Sequence, residues 1–125
     1  KRARDQGSAK GAYRLGRLYA TGEAGEPDPE AAIELYREAA DRGHKQSMYV
    51  LGRAFEDGGL GLEADEQKAL RWYRRAAEAG ASEGIRRMMR AYAEGELGLP
   101  VDEAMAEEWR KRLPREQEDD DQDSA

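Results

Sequence analysis

One spaced pattern of small and aromatic residues recurs three times in this chain, and that repetition limits the fold more than any single segment does. Leu15-Gly16, Leu51-Gly52 and Met88-Met89 fall in register, followed by Tyr19, Phe55 and Tyr92, and then Gly22, Gly58 and Gly95. Asp28, Asp65 and Asp102 coincide next, then Ala32, Ala69 and Ala106, then Leu35, Trp72 and Trp109. The step is 36 residues from the first pair to the second and 37 to the third. A fixed period of about 20 to 50 residues marks a stack of like units. Each unit then contacts only its neighbours, and the stack presents an extended face suited to binding.

Within a unit the spacing predicts helix, loop, helix. Met48, Leu51, Gly52 and Phe55 place apolar or small residues on one helical face over about 45–57. Gly58-Gly59-Leu60-Gly61 interrupts it. Asp65 then stands as an N-cap, its carboxylate available to the orphan amides of the next helix. Ala69, Trp72, Tyr73, Ala76 and Ala77 form the second stripe, which Gly80 ends as a left-handed C′ residue. The first unit repeats this with Asp28 as cap and Pro29 at the first helical position. Its second helix is expected to run to Asp41 or Arg42. Gly16 and Gly52 lie inside helices, where glycine costs about 1 kcal/mol, and so predict a close helix crossing. In the third unit Glu107, Arg110 and Pro114 replace Leu70, Tyr73 and Ala77, giving the polar last helix that a stack needs to stop. Pro114 is expected to end it.

The expected organisation is a repeat domain over 1–114, in units of about 8–43, 44–80 and 81–114, followed by a disordered acidic tail over 115–125. Residues 1–6 align with the end of a second helix, so the chain is expected to be the C-terminal part of a larger bacterial protein. The formal charge of −6 gathers in the tail, where 115–125 carries one arginine and six acids and leaves the body near −1. A near-neutral body with an acidic end argues against nucleic-acid binding. No apolar run approaches the roughly 20 residues that span a bilayer. Without cysteine and with a single histidine, neither a thiolate metal site nor a nucleophile–base pair is expected, and no cofactor is implied. His44 follows Gly43 at the turn between units. Asp28, Asp65 and Asp102 are explained as caps, and Trp72 and Trp109 as packing residues.

The stretches Leu-Gly-x-x-Phe-x-x-Gly, Asp-x-x-x-Ala and Trp-Tyr-x-x-Ala-Ala-x-x-Gly resemble the Sel1-like repeat, a relative of the tetratricopeptide repeat. The second unit carries the likeness best, from Leu51 and Gly52 to Ala76, Ala77 and Gly80. The resemblance covers about 3–113 and implies an all-α fold, a right-handed α-solenoid of stacked antiparallel helix pairs. It also implies a non-enzymatic adaptor in signalling, secretion or envelope assembly, mostly in bacteria, and leaves periplasm, envelope and cytoplasm all open.

In repeats of this kind the first helix of each pair lines the concave face. The resemblance therefore places Lys10, Tyr13, Arg17 and Ala20 there from the first unit, and Gln46, Tyr49, Arg53 and Glu56 from the second. Glu83, Arg86, Arg90 and Ala93 follow from the third. Arg17, Arg53 and Arg90 would form a row, beside a row of Tyr13, Tyr49 and Arg86. A guanidinium fork suits carboxylates and tyrosine adds rigid contact area, so the expected partner is a protein or peptide segment with acidic groups. A regulatory or inhibitory subunit acting on an envelope sensor or enzyme would use the same face. The acidic tail could compete for the arginine row.

Overall fold

The computed structural model describes the backbone of residues 2–23 and 25–114, with the side chains of these from residue 8 onward. The acidic tail expected over 115–125 lies outside the described residues. Six α-helices follow one another: α1 (Arg2–Thr21), α2 (Pro29–Asp41), α3 (Lys45–Asp57), α4 (Glu66–Glu78), α5 (Ser82–Glu94) and α6 (Glu103–Arg110). Each packs on the next in the chain, so α1–α2, α3–α4 and α5–α6 form hairpins joined through α2–α3 and α4–α5. This is the all-α solenoid that the repeat predicts.

Caps punctuate every unit in the same way. Asp28, Asp65 and Asp102 each accept from the third backbone amide of their helix, at Ala31, Lys68 and Met105, with distances of 3.0–3.1 Å. Their own amides donate to the carbonyls of Tyr19, Phe55 and Tyr92 at 2.8–2.9 Å, so each loop closes on the matched aromatic residue. The first loop is one residue shorter than the other two, which accounts for the step of 36 rather than 37. Between units, Gly43 and Gly80 take φ of +96°. The amides of Gly43 and His44 donate to Ala40 and Ala39, and those of Gly80 and Ala81 to Ala77 and Ala76. These paired bonds satisfy carbonyls that a helix end would otherwise leave bare.

The close crossings expected at Gly16 and Gly52 are present, and tyrosine rings make them. A Cβ on Gly52 would lie 2.7 Å from Tyr73 Cδ1, and one on Gly16 would lie 3.0 Å from Tyr36 Cε1. Gly84, opposite Ala76 and Ala77, makes a third. Leu51, Phe55, Ala69, Tyr73, Ile85, Met88 and Trp109 are buried, and Trp72 is half-buried beneath Arg75.

Two boundaries differ from expectation. The last turn predicted over 1–6 does not end at Gly7; α1 continues through it. At the other end α6 stops at Arg110, short of Pro114, with Lys111 as its C-cap. Proline at 114 disfavours helical backbone at Leu113, and the polar residues of this last helix bring little packing to hold another turn.

Candidate functional site

Helices α1, α3 and α5 carry all the residues expected on the binding face. Gln46 Nε2 donates to Glu83 Oε2 at 3.4 Å, which ties matching positions of α3 and α5. Arg17, Arg53 and Arg90 are all exposed, but their surroundings differ. Arg53 lies 3.9 Å from Asp57, and Arg90 Nε donates to Glu96 at 2.9 Å. Arg17 forms no ion pair with a described residue. Arg86 is exposed, and Lys10, Tyr13, Gln46, Tyr49 and Glu56 are half-buried.

The tyrosines of the second row serve partly as packing. The Tyr13 ring sits 5.8 Å from Tyr36 and 4.6 Å from His44, and the Tyr49 ring 5.7 Å from Tyr73. His44 itself caps α3, its Nδ1 accepting from the Ser47 amide at 3.2 Å. Burial, with the nearby Lys10 charge, lowers its pKa.

Glu56 is not a free contact residue. Its carboxylate accepts from Tyr73 Oη at 2.7 Å, from Arg87 Nε at 3.2 Å and from Arg87 Nη2 at 2.6 Å. Arg87 Nη1 reaches on to Glu96 at 2.7 Å. The chain Tyr73–Glu56–Arg87–Glu96–Arg90 thus staples the second repeat to the third across an open cleft of about 500 Å³. The Arg87 hydrogen bonds pull the Glu56 pKa down against the opposing effect of burial. Burial, reinforced by the Glu56 carboxylate, pushes the Tyr73 phenol up. Burial disfavours charge on Arg87, and its two carboxylates override that.

Arg87 and Glu96 escaped the repeat pattern because the staple does not recur: Val50 stands where Arg87 does, and Ala20 where Glu56 does. An arginine at a position held by valine in the preceding unit was the available clue, since a buried guanidinium needs a carboxylate partner. Among the described residues no cluster of metal-ligating side chains occurs, and no helix is long and apolar enough to cross a membrane.

The model of the Sel1 repeat matches the chain in three places, at residues 9–44, 45–80 and 87–111. The chain belongs to the Sel1 repeat family. Sel1 repeats generally serve as protein-interaction scaffolds and are typically non-catalytic. Similar solved structures include a Sel1 repeat protein from Oxalobacter formigenes, with a TM-score of 0.75 and 28% identity over 83% of this chain. Another is a protective antigen present in uropathogenic Escherichia coli strains and displaying an SLR fold, with a TM-score of 0.74 and 36% identity over 86% of this chain. The Sel1 repeats here span 42% and 22% of those two chains. No curated protein matches the sequence.

Proposed function

We propose that this Sel1 repeat chain is a non-catalytic interaction module that holds a carboxylate-bearing segment of a partner protein along the face of α1, α3 and α5. The observation that carries the reading is the exposure of Arg17, Arg53 and Arg90 at one repeated position on those three helices. The Gln46–Glu83 contact supports it, because matching positions of successive first helices then lie within reach of a single extended segment. Tyr13 and Tyr49 add aromatic surface that is already fixed by packing, so little conformational freedom is lost on binding.

Changing Arg17, Arg53 and Arg90 together to alanine tests this reading. Wild-type protein is expected to bind a fluorescent glutamate-rich peptide and to release it as salt rises, since exposed charges are screened. The triple variant is expected to lose that binding while keeping its helical circular dichroism. Undiminished binding by the folded variant would reject the proposal.

A further inference from the structure

We propose that the groove between the first and second repeats, at the Tyr36 hydroxyl and Arg17, receives a glutamate or aspartate side chain of the partner segment. That carboxylate would take the place which Glu56 fills between the second and third repeats. The inference rests on the binding face proposed above and assigns one residue-sized position within it.

The molecule contains both an occupied and an unoccupied version of the same position. Tyr36 and Tyr73 are equivalent: both are buried, and both lie against a helical glycine, Gly16 or Gly52. Both also have a tyrosine ring from the first helix beside them, Tyr13 at 5.8 Å or Tyr49 at 5.7 Å. Tyr73 Oη donates to the Glu56 carboxylate at 2.7 Å, and Arg87 completes the acceptor's shell. At Tyr36 the two partners are missing from the sequence, since Ala20 replaces Glu56 and Val50 replaces Arg87. Tyr36 Oη therefore has no hydrogen-bond partner among the described residues, yet it is not sealed from solvent. Arg17 beside it has no ion pair with a described residue either, although Arg53 and Arg90 at the same position have Asp57 and Glu96. Burial and the neighbouring Tyr13 raise the Tyr36 pKa, and the Arg17 charge opposes them.

The Tyr36 phenol and the Arg17 guanidinium thus both lack a described partner, at the position where the next repeat holds the Glu56 carboxylate. A carboxylate accepts from both. Ala20 and Val50 are also smaller than Glu56 and Arg87, which stand at their positions in the next repeat. The Glu56 contacts of the next repeat thus supply the chemistry argued for this position.

The full chain, titrated with a capped hexaglutamate peptide and with hexaglutamine as control, tests this through two variants. Ala20→Glu supplies the carboxylate internally and is expected to lower affinity about ten-fold while keeping or raising the thermal midpoint. Tyr36→Phe removes the donor and is expected to lower affinity about ten-fold, the scale of one hydrogen bond to a charged group. Wild-type affinity in both folded variants, with binding still lost in the triple arginine variant, overturns this inference and leaves the groove reading standing. Failure of the wild type to prefer hexaglutamate overturns both. The chain's own acids at 116–123 are a second carboxylate source, so a full-length variant with those acids changed to amides is included. Unchanged affinity is expected there, and an increase of about ten-fold would assign the position to the chain's own end rather than to a partner.

Discussion

Tyr73 lies so close over Gly52 that any Cβ at position 52 would fall 2.7 Å from its Cδ1 atom. The ring cannot retreat easily, because it is buried and its hydroxyl is held by Glu56. Gly16 meets Tyr36 at 3.0 Å, but among the described residues that ring has no hydroxyl tether, and Gly11 has nothing within 4 Å. Alanine substitution at the three glycines should therefore separate the gain in helix propensity from the cost of overpacking. Gly11→Ala is expected to stabilise by up to about 1 kcal/mol. Gly16→Ala should be near neutral, and Gly52→Ala should destabilise by about 1–2 kcal/mol net. Urea unfolding followed by circular dichroism measures all three, and an equal response at 11 and 52 would contradict the crossing.

The Arg87 staple should be worth more when broken on one side than when replaced. Arg87 is 8% exposed and Glu56 26%. Arg87→Ala leaves Glu56 with the Tyr73 hydroxyl as its one hydrogen-bond partner among the described residues and is expected to cost about 3 kcal/mol, the lower end for a stranded buried charge. The double variant Arg87→Met with Glu56→Gln should recover much of that loss. A double-mutant cycle on unfolding free energies that returns no coupling would contradict the geometry.

Acid should weaken the same staple through Glu56. Its folded pKa lies below the ordinary 4.5, so its contribution is complete above that value and is lost as pH falls through the depressed one. Glu56→Gln is expected to flatten the decline in thermal midpoint between about pH 5 and 3. An unchanged acid limb would show that the carboxylate is not held in the fold.

His44 should act in a higher window. Its pKa in the fold lies below the ordinary 6.5, so the unfolded chain binds the proton first and stability falls as pH drops through that value. Protonation also removes the Nδ1 lone pair that caps α3. His44→Asn keeps a capping side chain and cannot titrate. Its thermal midpoint is expected to stay level between pH 7.5 and 5.5, where that of the wild type declines.

How much of this was legible in the sequence depends on whether a feature recurs. The bounds of α3, the caps at Asp28, Asp65 and Asp102, and the crossings at Gly16 and Gly52 were all readable. Each occupies a repeated position, and each follows from a local rule about helix ends or side-chain size. The Glu56–Arg87–Glu96 contacts were not, because they join different repeats and occur once; a register alignment ranks Arg87 beside Val50 and says nothing of its partners. Of the two helix boundaries that shifted, the one at Arg110 falls where Glu107 and Arg110 replace the apolar Leu70 and Tyr73 of the preceding unit, so local packing no longer enforces the repeat. Within the binding face, the sequence placed the three arginines at one position but could not distinguish Arg17 from Arg53 and Arg90, whose acids sit four and six residues further on.

The most direct measurement of the central claim is an amide and arginine side-chain NMR titration of the full chain with a glutamate-rich peptide. Shifts should concentrate on α1, α3 and α5, at Tyr13, Arg17, Tyr49, Arg53, Arg86 and Arg90, and spare the outer surfaces of α2 and α4. Perturbations centred on α2, α4 or the loops at Gly58 and Gly95, with the arginine side chains unmoved, would contradict it.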